Sequence, residues 1–327
     1  MSEPTLDIEQ VRALRRRLDP WLVRTPVVRC ASLEAASGAE VWGKLEFLQR
    51  TSTFKARGAL AVLLGLSREQ RAAGVTAVSA GNHAIATAFA ARETGTSARV
   101  VMLATASPLR IARCREYGAE VVLADDVHAA FERAEQIRDR EGRYLVHPFE
   151  GPLTSLGTAT LGLEICEQVE GVEAVLVPIG GGGLCSGVAA AVKQLAPAAR
   201  VYGIEPEGAD TMHRSFASGR PERIDRVDTI ADSLGAPHAA PYSLGLCRRY
   251  VDELVRVSDG QLRQAMRRLF DEQKLAVEPA CAASTAALLG PLAGRLRGQR
   301  VALVFCGSNI DWPTWERLAR PEGSERA

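Results

Sequence analysis

Six apolar runs of strand length recur along the chain, with helix-like segments between them. The runs are VTAVSA (75–80), ARVVML (98–103), AEVVLA (119–124), EAVLVPI (173–179), ARVYGIE (199–205) and RVALVF (300–305). Their hydrophobicity is nearly continuous instead of alternating, so each strand must be covered on both faces. Parallel sheets flanked by helices meet that demand. Helical periodicity with glycine stops is visible in AIATAFAARETG (84–95), PLRIARCREYG (108–118) and VHAAFERAEQIRDREG (127–142). Each strand-helix unit takes roughly 20 to 25 residues, the spacing of a doubly wound fold. The expected fold class is α/β, with a boundary at HPFEGP (147–152), where two prolines and a glycine interrupt the alternation.

With 40 basic against 39 acidic side chains, no global field recruits nucleic acid or an anionic membrane. Small neutral or zwitterionic ligands fit better. The stretch VRALRRRL (11–18) holds four arginines, yet Val11, Leu14 and Leu18 share one helical face, which reads as an amphipathic helix. Seven cysteines, at 30, 114, 166, 185, 247, 281 and 306, form no CxxC pair. That argues against a disulfide framework and a structural zinc site and points to a reducing compartment. Nothing near Met1 resembles a signal sequence and no apolar run reaches membrane-spanning length, so the cytoplasm is the expected location.

Three motifs carry chemistry. In QRTSTFKARGAL (49–60), Thr51, Ser52 and Thr53 are N-cap candidates, which puts Lys55 in the first turn of a helix. There the helix dipole and the nearby Arg57 are expected to disfavour the ammonium and lower its pKa. A neutral amine forms a Schiff base with an aldehyde. Taken alone, the stretch also fits a surface lysine beside a cap. In SAGNHA (79–84), small residues expose backbone N–H groups while Ser79, Asn82 and His83 add donors, which makes either a carboxylate site or a capped strand-helix turn. In PIGGGGLCSG (178–187), glycines 180 to 183 let the backbone aim N–H groups at a phosphate before a helix begins. The segment lacks the Lys-Ser/Thr ending of a nucleotide P-loop. An aldehyde for the lysine, a phosphate for the glycines and a carboxylate nearby together describe pyridoxal phosphate and an amino acid.

With LEFLQRTSTFKARGA, SAGNHA, PIGGGGL and the terminal VFCGSNID in this order, the chain resembles the fold type II pyridoxal phosphate enzymes. Within them it is similar to the serine/threonine dehydratase (ammonia-lyase) family, which includes serine racemase. The likeness runs over essentially the whole chain and implies two doubly wound α/β domains of the tryptophan synthase β type. Residues 1–51 and 150–327 would form the large cofactor-binding domain and 52–149 the small substrate-carboxylate domain. The resemblance implies that Lys55 carries the cofactor as a Schiff base, that Phe54 packs beside it, and that Asn82 hydrogen-bonds its phenolic oxygen. Gly180, Gly181, Gly182 and Gly183, with Leu184, would hold the phosphate. Cys306 falls where the family places a Ser or Cys facing the pyridine nitrogen. A neutral partner there favours rapid expulsion of a β-leaving group over a long-lived carbanion. Glu278, in VEPACAAS, either matches a glutamate near the cofactor ring or caps a helix. The substrate carboxylate would sit on Ser79, Gly81, Asn82 and His83. Lys55, once freed, would remove the α proton, and loss of hydroxide would lead to a 2-oxo acid and ammonia.

Departures from the family pattern refine this expectation. Ser52-Thr53 stands where relatives often carry Gly-Ser, adding bulk beside the substrate. Ala80 stands where serine racemases carry a second serine, so elimination ranks above racemisation. IEPEGADT (204–211) resembles the family's cation site, with Glu205 and Ala209 as ligands. Thr211 replaces an aspartate there, which suits potassium better than a divalent ion, an unoccupied acidic loop being the alternative. The chain ends soon after FCGSNID, so a regulatory domain and feedback inhibition by isoleucine are not expected. The expected activity is dehydration and deamination of L-threonine, L-serine or a bulkier 3-substituted serine such as phenylserine, by a homodimer. An amino-acid racemase or β-replacement synthase, and a non-catalytic cofactor-binding protein, are the alternatives.

Overall fold

The computed structural model describes residues 4–320. Its strands, in chain order, are β1 (Val27–Arg29), β2 (Glu40–Leu45), β3 (Val75–Val78), β4 (Ala98–Leu103), β5 (Glu120–Ala124), β6 (Tyr144–Leu145), β7 (Ala174–Pro178), β8 (Arg200–Pro206), β9 (Glu253–Val257) and β10 (Arg300–Phe305). They form a six-stranded sheet of order β1-β2-β10-β7-β8-β9 and a four-stranded sheet of order β5-β4-β3-β6. Among the described strands every pairing is parallel except β1 with β2. All six apolar runs are strands, but β5 is not covered on both faces as expected: it lies at the edge of its sheet, with Leu123 48% exposed.

The remaining strands lack that signature for identifiable reasons. β2 is interrupted by Gly43 and by Lys44, a cation fully buried against Glu164 at 2.6 Å. β9 is an edge strand with Arg256 turned outward, β6 is only two residues long, and β1 is a short antiparallel edge.

Two large hydrophobic cores follow the two sheets. The core around the four-stranded sheet also receives Leu14, Leu18 and Leu22 from the N-terminal segment. The Ile8–Leu18 helix starts at Asp7, whose carboxylate accepts from Glu9 N–H, and buries Val11, Leu14 and Leu18 as its spacing requires. Arg15 is not solvated like its neighbours: its Nε donates to the buried Glu164 at 2.9 Å.

The Lys55–Gly65 helix is buried from Ala56 through Leu63, packed against the Asn82–Glu93 and Pro152–Gln168 helices. Its approach to the latter is so close that a Cβ on Gly157 would stand 2.5 Å from the Arg57 carbonyl oxygen. The expected N-cap is not present. Phe54 occupies the cap position, in helical conformation, and no side chain caps the helix; Thr53 Oγ1 stands 3.5 Å from Lys55 N. The Thr51–Thr53 segment is instead tied to the chain beyond β10, through a bridge of Thr53 to Gly307 and bonds from Phe54 N–H to Cys306 O (3.0 Å) and from Ser308 N–H to Ser52 O (3.0 Å).

Candidate active site

Those ties deliver Lys55 beside Cys306 at the C-terminal end of β10. The Lys55 side chain is partly open to a cavity that Gly183, His83, His147 and Phe54 also line. Its amine donates to the Pro148 carbonyl at 2.5 Å and stands 5.2 Å from the Phe54 ring centroid. Burial of the amine lowers its pKa to about 8, against partial opposition from Cys306 and Glu278. The direction agrees with the sequence but the cause does not. Arg57 makes no contribution, because its guanidinium turns away into Glu46 and Glu164.

The SAGNHA segment leaves β3 as a tight loop in which Gly81 N–H donates to Ser79 Oγ at 3.1 Å, and the helix begins at Asn82. Both ends of the Asn82 amide are fixed: Nδ2 donates to Glu278 Oε1 and Oδ1 accepts from Asn309 Nδ2, each at 2.7 Å. His83 Nε2 donates to Val146 O at 2.8 Å, and burial drives its pKa down to about 3, so it stays neutral. His147 Nδ1 accepts from the N–H groups of Phe149 (3.3 Å) and Glu150 (3.0 Å), and burial holds its pKa at about 4.

After β7 the glycine loop reaches the Gly183–Leu195 helix through Gly182, whose φ of +92° is the left-handed conformation that side chains resist. A Cβ on Gly183 would lie 2.6 Å from Phe149 Cα, so only glycine allows this close approach, and Gly183 also lines the Lys55 cavity. Ser186 N–H makes the first intrahelical bond, to Gly182 O at 2.8 Å, which leaves the amides of Gly183, Leu184 and Cys185 free of helical acceptors.

Opposite Asn82, Glu278 stands at the N-cap of the Pro279–Leu289 helix, yet its side chain does not cap it. The carboxylate is committed to Asn82, with Ser233 and Arg110 at 3.5 Å. Burial raises its pKa to about 7, the Arg110 cation opposing. The Cys306 thiol is pushed well above its ordinary range by a hydrogen bond with Cys281 and by burial, so it is a neutral group at the site. Ser52 is half-buried with φ +55°, a strained conformation for a residue with a side chain, while Thr53 is fully buried.

Farther off, Glu205 accepts from the N–H groups of Met212 (2.8 Å) and His213 (2.7 Å) at the start of the Thr211–Ser218 helix. Burial raises its pKa to about 8. Thr211 Oγ1 donates to Ala236 O at 2.7 Å. Among the described residues no cluster of three or more His, Cys, Asp or Glu side chains is arranged to hold a metal ion.

Sequence reading missed Arg110, Asp232, Ser233 and the pair His147 and Pro148. Asn309 lies within FCGSNID, where nothing local marks its role.

An enclosed lysine amine, on one cavity with the first residue of a helix that follows a glycine loop, suits an α/β enzyme that holds an aldehyde-bearing phosphate ester on a lysine. The chain matches the family described as pyridoxal-phosphate dependent enzyme over residues 18–307, and it belongs to that family. Its fold is that of the fold type II members. It is 56% identical over 311 residues to phenylserine dehydratase of Ralstonia pickettii, covering 95% of each chain. It is 38% identical over 314 residues to L-threonine ammonia-lyase of Thermotoga maritima, covering 96% of this chain and 78% of the relative. The structure of maize serine racemase superimposes with a TM-score of 0.91 at 32% identity, covering 96% of this chain and 97% of the other. The residues present fit the cofactor: Lys55 is an enclosed amine with a single carbonyl partner, and the Gly183 side of the cavity presents unpaired helix-start amides.

Proposed function

We propose that this enzyme dehydrates and deaminates β-hydroxy amino acids to 2-oxo acids and ammonia, with a 3-aryl serine such as phenylserine as its preferred class and L-threonine and L-serine as smaller substrates. The observation that carries the reading is the enclosed Lys55 amine on one cavity with Gly183 and His83, in a chain 56% identical to a phenylserine dehydratase.

When bound, pyridoxal phosphate supplies an electron sink for the substrate's α carbon. Lys55 Nζ holds the cofactor and then accepts the α proton, a role suited to an amine whose pKa burial brings to about 8. Ser79, Gly81 and the first amides of the Asn82–Glu93 helix receive the substrate carboxylate, with His83 as neutral support. The Asn82 amide would hydrogen-bond the cofactor's phenolic oxygen, with Phe54 beside the ring. Glycines 180 to 183 and Leu184 would hold the phosphate. The neutral Cys306 favours elimination, and Glu278 acts on the site through Asn82. Hydroxide leaves from Cβ, and hydrolysis of the released enamine balances the water lost. A racemase on this scaffold needs an acid on the face away from Lys55, and Ala80 offers none.

We place residues 1–51 and 150–327 in one domain and 52–149 in the other, supported by the separation of the two sheets. We also assign a homodimer, a cytoplasmic location and a monovalent cation such as potassium at Glu205, Ala209 and Thr211. Burial of Glu205 and the neutral Thr211 hydroxyl support that cation. No described helix is long and apolar enough to cross a membrane.

Adding L-threo-3-phenylserine, L-threonine and L-serine to purified holoenzyme and measuring 2-oxo acid and ammonia tests the reading. Release from the aryl substrate with a kcat/KM at least about tenfold above threonine is expected, since an aryl ring in a matched apolar site gains 1–3 kcal/mol. Inversion without ammonia would select the racemase instead.

A further inference from the structure

We propose that Arg110 is a positioning residue of this active site: it fixes the Asn82 side chain by holding, at the same time, the two residues that bind Asn82 most closely. The proposal rests on the pyridoxal phosphate reading of the site and adds to it a group outside the three motifs.

Arg110 lies on the Pro108–Glu116 helix, beside the four-stranded sheet, and is only 8% exposed. Its guanidinium crosses to three separate segments. Nε donates to Asn309 O at 3.0 Å, Nη1 to Asp232 Oδ2 at 2.5 Å, and Nη2 lies 3.5 Å from Glu278 Oε2. Asn309 and Glu278 are the two nearest partners of the Asn82 amide, one at each end, with Ser233 Oγ a further acceptor 3.4 Å from Nδ2. The same fork lies against the loop backbone, since a Cβ on Gly81 would stand 3.0 Å from Nη1. A planar guanidinium spreads its donors over three nitrogens in fixed directions and so spans acceptors on separate segments, whereas a lysine ammonium carries all its donors on one atom.

The arrangement also sets charge. Glu278 is met by Arg110 from one helix, by Asp232 and Ser233 from the loop after Ala231, by Asn82 from another helix, and by Lys55 and Cys306 across the cavity. Arg110 favours the ionised carboxylate, as the hydrogen bond from Asn82 Nδ2 does, whereas Asp232 disfavours it. Arg110 thus ties the orientation of Asn82 to the protonation of Glu278.

The test compares Arg110→Met, Arg110→Lys and Asp232→Asn holoenzymes by the pH dependence of the bound cofactor's visible absorbance, by cofactor dissociation on dialysis, and by kcat and KM. In Arg110→Met the acidic transition should rise by about one pH unit and cofactor affinity should fall about tenfold, with kcat reduced more than KM is changed. Arg110→Lys should keep the transition but lose affinity. Asp232→Asn, a change at a side chain 57% exposed, should move the transition downward. An Arg110→Met enzyme with the parent's transition, even if its melting temperature falls, would overturn the proposal. Should that variant not fold, an unmoved or raised transition in Asp232→Asn overturns it alone. The absorbance needs no substrate, so failure of the lyase assignment would leave this result standing.

Discussion

Lys55 and Arg57 stand two residues apart on one helix, and their surroundings answer opposite requirements. Arg57 is fully buried and fully partnered: its Nε and Nη2 grip Glu46 at 2.7 and 2.8 Å, while Nη1 and Nη2 grip Glu164 at 2.9 Å each. Lys44 and Arg15 complete the cluster on Glu164, and Thr25 and Thr160 take remaining positions. Lys55 has one carbonyl, at 2.5 Å, and a cavity. A buried cation with every donor satisfied holds structure, and one left short of partners is available for chemistry. The two clusters also respond to pH with opposite sign. Arg57 and Lys44 hold the Glu164 carboxyl well below its ordinary range, whereas burial lifts Glu278 to about 7.

The contrast is sharpest in Lys55→Ala. Activity should fall by at least about 10⁴-fold, with loss of the cofactor's visible absorbance, while the thermal midpoint of the apoenzyme stays close to the parent's. Collapse of the fold in that variant would break the comparison. Glu164→Gln should do the converse, costing about 3–5 kcal/mol in urea unfolding because Arg57 and Lys44 would keep buried charge without a full counterion. The native cluster's contribution is present above the ordinary carboxylate range and is lost as pH falls through the depressed value of Glu164.

Glu278→Gln should show the reverse dependence. A carboxyl whose folded pKa is raised contributes stability below its unfolded value that is lost as pH rises through about 7. The variant should therefore be the more stable protein by roughly 3 kcal/mol near pH 8, with the advantage gone near pH 4 and activity reduced throughout. Calorimetry at the two pH values decides it. The smallest effect belongs to Ser52→Gly. Relief of the left-handed strain should stabilise the enzyme by about 1 kcal/mol and shift the ratio of aryl to alkyl substrate turnover by only a few fold.

These differences also explain what could be read before folding. The six apolar strands announce themselves by composition, and the three motifs are contiguous, so Lys55, Asn82 and the glycine loop were legible in one dimension. β2 was not, because Lys44 reads as solvent-facing until Glu164, 120 residues later, neutralises it. The cause of the lysine's depressed pKa was misassigned to Arg57 for the same reason: the carboxylates that absorb its charge lie 11 and 107 residues away. Arg110 was invisible as a site residue, since its partners are 122, 168 and 199 residues distant and nothing local marks it.

Reduction of the holoenzyme with borohydride, followed by peptide mass mapping, tests the central contrast directly. The chain's lysines are Lys44, Lys55, Lys193 and Lys274. The account predicts that the reduced cofactor is found on Lys55; label on Lys44, Lys193 or Lys274 in place of Lys55 would contradict it.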